Sequence, residues 1–358
     1  MTRRPRSTRA SLAIASLAAV LAACGSDDTG SPTSTPVAAS ESTSAPATTA
    51  ATSTDATTTA AVTPTATVYP VTIDNCGEQV TYDAAPEKVI TADTSMAETL
   101  VALGVSDRIV ATYFDFANSG IEPANRQVLD ALNVIGADGY PSREQVVALD
   151  PDFVYAFGES DFDREGSPTR DDLATAGAAI YVAEAYGCGD DTGTVTSSFG
   201  EILDLGIIFD RQTEAEAIVA GFQMRLDAVA AKVSDAPKPQ AIFWDAYDFE
   251  NVRLLPFGGY QDAITQAGGE VLFSDVTDAS PVSKEQIATS DVSVVFALDY
   301  GADTTTPLLP DMTDLIANTP AGASGGLGVV PVTNYPVFLH GVDLVEEIAK
   351  ALHPDLFP

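Results

Sequence analysis

Two segments 141 residues apart carry the same chemistry in the same order, and this repeat constrains the fold more than any other feature. Ser142-Arg143-Glu144-Gln145-Val146-Val147-Ala148-Leu149-Asp150 is echoed by Ser283-Lys284-Glu285-Gln286-Ile287-Ala288-Thr289-Ser290-Asp291. In each, a serine stands three residues before a glutamine, the spacing of a reciprocal helix cap. A strand-like apolar run follows each, over 153–157 and 292–298. A helix–glycine–strand pattern precedes each, around Gly104 and around Gly268-Gly269. Between the copies, residues 213–233 read as one long helix. Ile218, Phe222, Leu226, Val229 and Val233 fall on one stripe at helical spacing. Its 21 residues would span roughly 31 Å.

The rest of the chain supports an α/β reading. Strand patterns occur at 88–92, 108–113, 153–157 and 179–182, and again from 240 to 244, with helical stretches between them. Such alternation predicts layered parallel sheets. Ser95-x-x-Glu98 predicts a capping box opening a helix that stops at Gly104. Residues 68–73 and 79–82 predict a hairpin around Asp74-Asn75-Cys76-Gly77. The expected fold is therefore α/β, with two lobes joined by one long backbone helix. Each lobe would hold a mainly parallel sheet with flanking helices. The expected limits are 68–212 for the N-terminal lobe, 213–235 for the connecting helix and 236–358 for the C-terminal lobe. Two lobes on a single helix imply a cleft between them.

The first residues read as an address. Arg3, Arg4, Arg6 and Arg9 precede a small apolar run over 11–21, too short to span a bilayer. Leu21-Ala22-Ala23-Cys24-Gly25 resembles the lipobox of bacterial lipoproteins. That resemblance implies a signal peptide over 1–23 and a palmitate-bearing lipid on Cys24, tethering the chain to the outer face of the cell membrane. Residues 24–67 are rich in Ser, Thr, Ala and Pro. They hold almost no large apolar group with which to offset the entropy of ordering. They read as a flexible stalk.

Charge and rare residues exclude several functions. With the four leader arginines set aside, 13 basic side chains face 51 acidic ones. A chain this acidic repels phosphate backbones, which excludes nucleic acid as a partner. The sequence holds two histidines, His340 and His353, and no H-E-x-x-H zinc motif. Outside the membrane, Cys76 and Cys188 are expected to form a disulfide once Cys24 is assigned to lipid. Gly322-Ala323-Ser324-Gly325-Gly326 fits the G-x-S-x-G pattern of serine hydrolases, with Asp343 and His353 following in order. That elbow needs a strand before it and a helix after it, whereas this segment reads as loop into strand, and no catalytic role is assigned.

Several stretches resemble the type III, helical-backbone substrate-binding proteins of ABC importers. They are Lys88-Val89-Ile90 through Ser95-Met96-Ala97-Glu98 to Gly104, and Ser142 through Leu149-Asp150-Pro151-Asp152-Phe153-Val154. Gln266-Ala267-Gly268-Gly269-Glu270-Val271-Leu272-Phe273 and Leu352-His353-Pro354 continue the series. Asp291-Val292-Ser293 departs from the family, which usually places a proline after the first position. The resemblance implies a monomeric receptor without catalytic chemistry or cofactor, partnered by an ABC permease and its ATPase. Its ligand would be a small molecule, first an iron–siderophore complex and otherwise cobalamin, haem or a metal ion. A haem ligand would want an axial group such as His340 or a tyrosine. A cell-wall interaction protein that borrowed the fold is the remaining alternative. In the family, one exposed glutamate per lobe docks on permease arginines, and the matching positions are Glu144 and Glu285.

Ligands of α/β lobes lie at strand carboxyl ends. This selects Ser95, Met96, Tyr113, Phe114 and Tyr140 in the first lobe. In the second it selects Trp244, Tyr247, Arg253 and Tyr300. Aromatics offer apolar area with a polar tip, and the surrounding acids suit a cationic or neutral ligand.

Overall fold

A computed structural model describes residues 66–114, 123–136, 140–184, 188, 193–246, 249–250, 252–255, 258–275, 282–299, 304–331 and 338–358. The leader, Cys24 and nearly all of the stalk lie outside the described residues, as do Tyr247 and Tyr300.

A hairpin of β1 (Val71–Asn75) and β2 (Glu78–Tyr82) precedes two four-stranded parallel sheets. The first contains β3 (Val89–Asp93), β4 (Ile109–Phe114), β5 (Phe153–Ala156) and β6 (Ala179–Val182), in the order β4-β3-β5-β6. The second contains β7 (Gln240–Trp244), β8 (Glu270–Val271), β9 (Val294–Asp299) and β10 (Leu327–Pro331), in the order β8-β7-β9-β10. Counted within its own lobe, each sheet runs second, first, third, fourth. The sequence repeat is thus a repeat of topology. The central strands β3 and β5 are buried along their whole length, and β7 and β9 along all but one end residue, as parallel sheets covered on both faces require.

The first sheet carries α1 (Thr94–Ala102), α2 (Pro123–Leu129), α3 (Arg143–Val147), α4 (Arg170–Ala176) and α5 (Ser197–Ile208). Then comes α6 (Gln212–Val233), the long helix. The second sheet carries α7 (Gly258–Gln266), α8 (Lys284–Ala288), α9 (Leu309–Ile316), α10 (Pro320–Ser324) and α11 (Gly341–Leu352). Both repeat segments form their reciprocal caps. Ser142 Oγ accepts from Gln145 N–H at 3.3 Å, and Gln145 Oε1 accepts from Ser142 N–H at 2.8 Å. The Ser283–Gln286 pair does the same at 3.2 and 2.9 Å. Helices α3 and α8 each lead into the third strand of their sheet, so Glu144 and Glu285 occupy equivalent places.

The expected cap at Ser95 is not formed. Asp93, at the end of β3, accepts from Met96 N–H at 2.9 Å and caps α1 instead. Ser95 Oγ donates to the same carboxylate at 3.0 Å. The helix thus starts two residues earlier than the Ser–Glu spacing suggests, with Ser95 inside its first turn, which leaves the Glu98 side chain available elsewhere. The G-x-S-x-G segment also departs from its expected loop. It forms α10, capped by Thr319 with Pro320 at its first position and Gly325 in the left-handed region behind it. Ser324 Oγ donates back to the Pro320 carbonyl at 3.0 Å, and His353 lies against the Gly268 carbonyl at 3.3 Å. No strand–elbow–helix is present there.

Three pieces knit the lobes. Val219 and Phe222 of α6 pack on both cores. Helix α5 begins in the second core, with Phe199 5.8 Å from Phe222, and ends in the first with Ile202, Leu205 and Ile208. A short turn at Phe338–His340 returns to the first core through Phe338, and α11 then buries Val342, Leu344 and Val345 in the second. Cys76 and Cys188 are joined as a disulfide, holding the hairpin beside β6.

The charge has a measurable consequence for this body. A net charge of −34 over the full sequence destabilises a compact state by self-repulsion, and salt screens it. Raising NaCl from about 0.01 to 0.5 M shortens the Debye length from about 30 to about 4 Å. The midpoint of thermal unfolding should rise by several degrees over that range. A midpoint indifferent to salt would show that the acids are already locally compensated.

Candidate functional site

In both sheets the chain reverses its direction of winding between the first and third strands, and the crevice at their carboxyl ends is the natural ligand position. In the first lobe that crevice lies between the ends of β3 and β5. Asp93 ends β3, fully buried, and burial pushes its carboxyl up to about 6 against the hydrogen bonds from Met96 and Ser95. Past β5, Asp161 accepts from the Phe157 N–H at 2.9 Å. Burial raises the Asp161 carboxyl above its ordinary range, opposed by bonds from the Phe157 amide and Tyr140 and by the nearby Arg164 charge. Arg164 lies 3.7 Å over the Tyr140 ring. Tyr113 is buried beside them, and its hydroxyl finds no partner among the described residues. One small array thus joins two expected site residues, Tyr113 and Tyr140, to Asp161 and Arg164, which sequence reasoning missed.

The second lobe repeats the plan with different side chains. Trp244 ends β7, and its ring stacks on Phe249 at 5.8 Å and 10°. Lys284 Nζ lies 4.1 Å over Phe249. Asp245 accepts from Arg253 at 3.2 Å, with the arginine side chain 52% exposed and the aspartate 6%. Arg253 therefore presents its guanidinium while anchored from below. Trp244 itself is fully buried, and its indole N–H finds no partner among the described residues. Met96 is likewise fully buried, and Ser95 is spent on Asp93. Of the nine expected ligand residues, the structure leaves Tyr140 and Arg253 with surface to offer. It places Ser95, Met96, Tyr113 and Trp244 beneath that surface. The side chain of Phe114 lies outside the described residues, with Tyr247 and Tyr300.

Glu144 and Glu285, expected from the resemblance to meet a permease, are exposed, each in the first turn of its short helix. Each follows a basic residue that is engaged elsewhere. Arg143 pairs with Asp172 at 2.7 Å, and Lys284 sits on Phe249. The Glu285 carboxyl is held below its ordinary range by its own backbone amide and by Ser283.

Two cavities lie apart from the strand ends. One of about 440 Å³ sits behind the second sheet, between Lys232, Pro237 and His353. Another of about 350 Å³ lies at the seam between the lobes, lined by Glu98, Asn125, Gly221, Phe222, Arg225 and His340. Among the described residues no group of three or more His, Cys, Asp or Glu side chains is arranged to hold a metal ion. Nor is any described helix long and apolar enough to cross a membrane.

The comparisons with known proteins agree with this architecture. A family model described as periplasmic binding protein matches residues 89–327. A cobalamin-binding protein of Halobacterium salinarum is 28% identical over 298 residues, covering 79% of this chain and 73% of the relative. A periplasmic binding protein from Veillonella parvula superposes with a TM-score of 0.68 at 19% identity, over 79% of this chain and 97% of that one. An ABC-type Fe3+-hydroxamate transport protein from Saccharomonospora viridis gives 0.64 at 23%, over 79% and 99%. A periplasmic haem-binding protein of Vibrio cholerae gives 0.59 at 18%, over 75% and 99%. With the family model spanning both sheets and the repeat written into both, the chain belongs to the periplasmic binding protein family, in its two-lobed, helical-backbone form.

Proposed function

We propose that this chain is the extracytoplasmic, lipid-anchored receptor of an ABC importer. It captures an iron–siderophore complex between its lobes and delivers it to a permease and its ATPase. The observation that carries the reading is the pair of aromatic, ion-anchored arrays at the carboxyl ends of two sheets with one topology. Tyr140 with Arg164 stands on one side, and Phe249 with Arg253 and Lys284 on the other. Flat rings and anchored cations suit a large ligand with both apolar faces and polar edges. Family membership and the absence of a hydrolase elbow at Ser324 support a binding role over an enzymatic one.

A second reading has its own support, because the curated relatives are cobalamin-binding proteins. The two separate by isothermal titration with a neutral ferric tris-hydroxamate complex, a ferric tris-catecholate complex, cobalamin and haem. The expected outcome is a Kd of about 1 µM or tighter for a ferric complex. Tight binding of cobalamin alone would replace the siderophore assignment. No binding of any of the four would sink the receptor reading itself.

A further inference from the structure

The seam between the lobes holds a polar network that ligand capture does not require. His340 lies on the turn before α11, and its side chain is 5% exposed. Its Nε2 lies 2.6 Å from Glu98 Oε2 of α1, and its Nδ1 lies 3.1 Å from Asp343 Oδ2 of α11. Glu98 is 1% exposed and also accepts from Asn125 of α2 at 2.9 Å. Asp343 pairs with Arg225 of α6, which also reaches Glu346 at 3.0 Å. The turn also packs on α5 and, through Phe338, on Tyr155 of β5; the buried Glu201 of α5 accepts from that same tyrosine. One chain of contacts thus links the first lobe, the second lobe and the connecting helix.

Two further observations lie at the same place. Gly221 sits in the interior of α6, one residue before Phe222, which packs on both cores. A Cβ added there would meet nothing within 4 Å, so packing does not demand glycine. A glycine inside a helix costs stability and loosens the backbone locally. A cavity of about 350 Å³ lies beside it, lined by Gly221 and by the network itself, so this part of the seam is not packed solid.

We propose that His340 is an inter-lobe latch. As an imidazolium bridging Glu98 and Asp343 it fixes the angle between the lobes, and losing its proton frees them to pivot about α6 at Gly221. Burial alone would depress the histidine pKa, but the hydrogen bonds and charges of Asp343 and Glu98 raise it to about 9. A group raised in the folded state stabilises fully below its unfolded pKa. The contribution is lost as pH climbs through the folded one. The latch is therefore closed at neutral pH and opens as pH rises through about 9.

The test uses the intact chain and needs no ligand. The sequence has only two histidines, so imidazole NMR resolves His340 once His353→Gln identifies the other signal. His340 should stay protonated through pH 8, and Glu98→Gln should move its titration down by at least about one unit. Hydrogen exchange, corrected for its intrinsic pH dependence, reads the lobes. His340→Gln should speed exchange about ten-fold in α1, α6 and α11 while sparing the central strands β3, β5, β7 and β9. The wild type should show the same seam-confined rise above pH 9, and the variant no further rise. Gly221→Ala should slow seam exchange and blunt the alkaline rise. A neutral His340 at pH 7 would overturn the proposal. So would seam exchange indifferent to His340→Gln, or an increase spread evenly over both sheets. Should His340→Gln not fold, an unchanged seam in Gly221→Ala would overturn it alone.

Discussion

Replacing Cys76 and Cys188 together by serine should lower the unfolding free energy by about 4–5 kcal/mol. The bond joins residues 112 apart, so the closed loop takes in nearly the whole first lobe. Cross-linking removes chain entropy from the unfolded ensemble in proportion to the logarithm of that loop length. The folded state should change little. Asn75 Nδ2–H still donates to the Val182 carbonyl at 2.9 Å, and its Oδ1 still accepts from Val182 N–H at 2.7 Å. These bonds dock the hairpin on β6 without the sulfurs. Since domains of this kind are stable by about 5–15 kcal/mol, the loss is a large fraction of the whole. The midpoint of thermal unfolding should fall by roughly 7–8 °C. Reducing the wild type should reproduce the variant's midpoint. A loss under about 1 kcal/mol would mean that the unfolded chain is already held compact in this region.

Local chemistry made much of this molecule legible. The caps at Ser142 and Ser283 need only their own neighbours, and the strands are short apolar runs between turns. Both features survive from sequence to structure. What failed was competition at short range and pairing at long range. Ser95 looks like a cap because Glu98 follows it at the right spacing, but the helix starts earlier, with Asp93 accepting from the Met96 N–H and Ser95 inside the first turn. Trp244 was favoured because it ends a strand. The structure turns it inward, because Phe249, five residues on, covers its ring. Glu98 and His340 are 242 residues apart, and no periodicity marks one for the other. Asp161 and Arg164 lie in a polar stretch where charge density hides the two that matter. Their one available signal was distance from the end of β5, which applies equally to Glu159 and Asp163.

If Glu144 and Glu285 form the proposed permease handle, reversing both charges, as Glu144→Lys with Glu285→Lys, should cut uptake in cells carrying the cognate permease by at least about 100-fold. Ligand affinity should stay within about two-fold of the wild type. The two positions are suited to a handle because each is exposed in the first turn of a five-residue helix leading to the third strand of its sheet. The rigid repeat then sets the distance between the charges. Arg143 is drawn to Asp172, and Lys284 lies over Phe249 while its charge still favours the Glu285 carboxylate, so Glu144 is the less compensated of the two. A lysine in the first helical turn opposes the helix dipole by about 0.3–1 kcal/mol, too little to unfold either lobe. Opposing a cationic permease site with a cation costs far more, because like charges brought together at an interface are penalised by several kcal/mol. Each single reversal should give an intermediate loss, and raised salt should weaken docking of the wild type more than of the double variant. A broad acidic surface is itself able to steer an approach to a cationic partner. Uptake that survives the double reversal would show that this diffuse field, and not the paired glutamates, is what the permease reads.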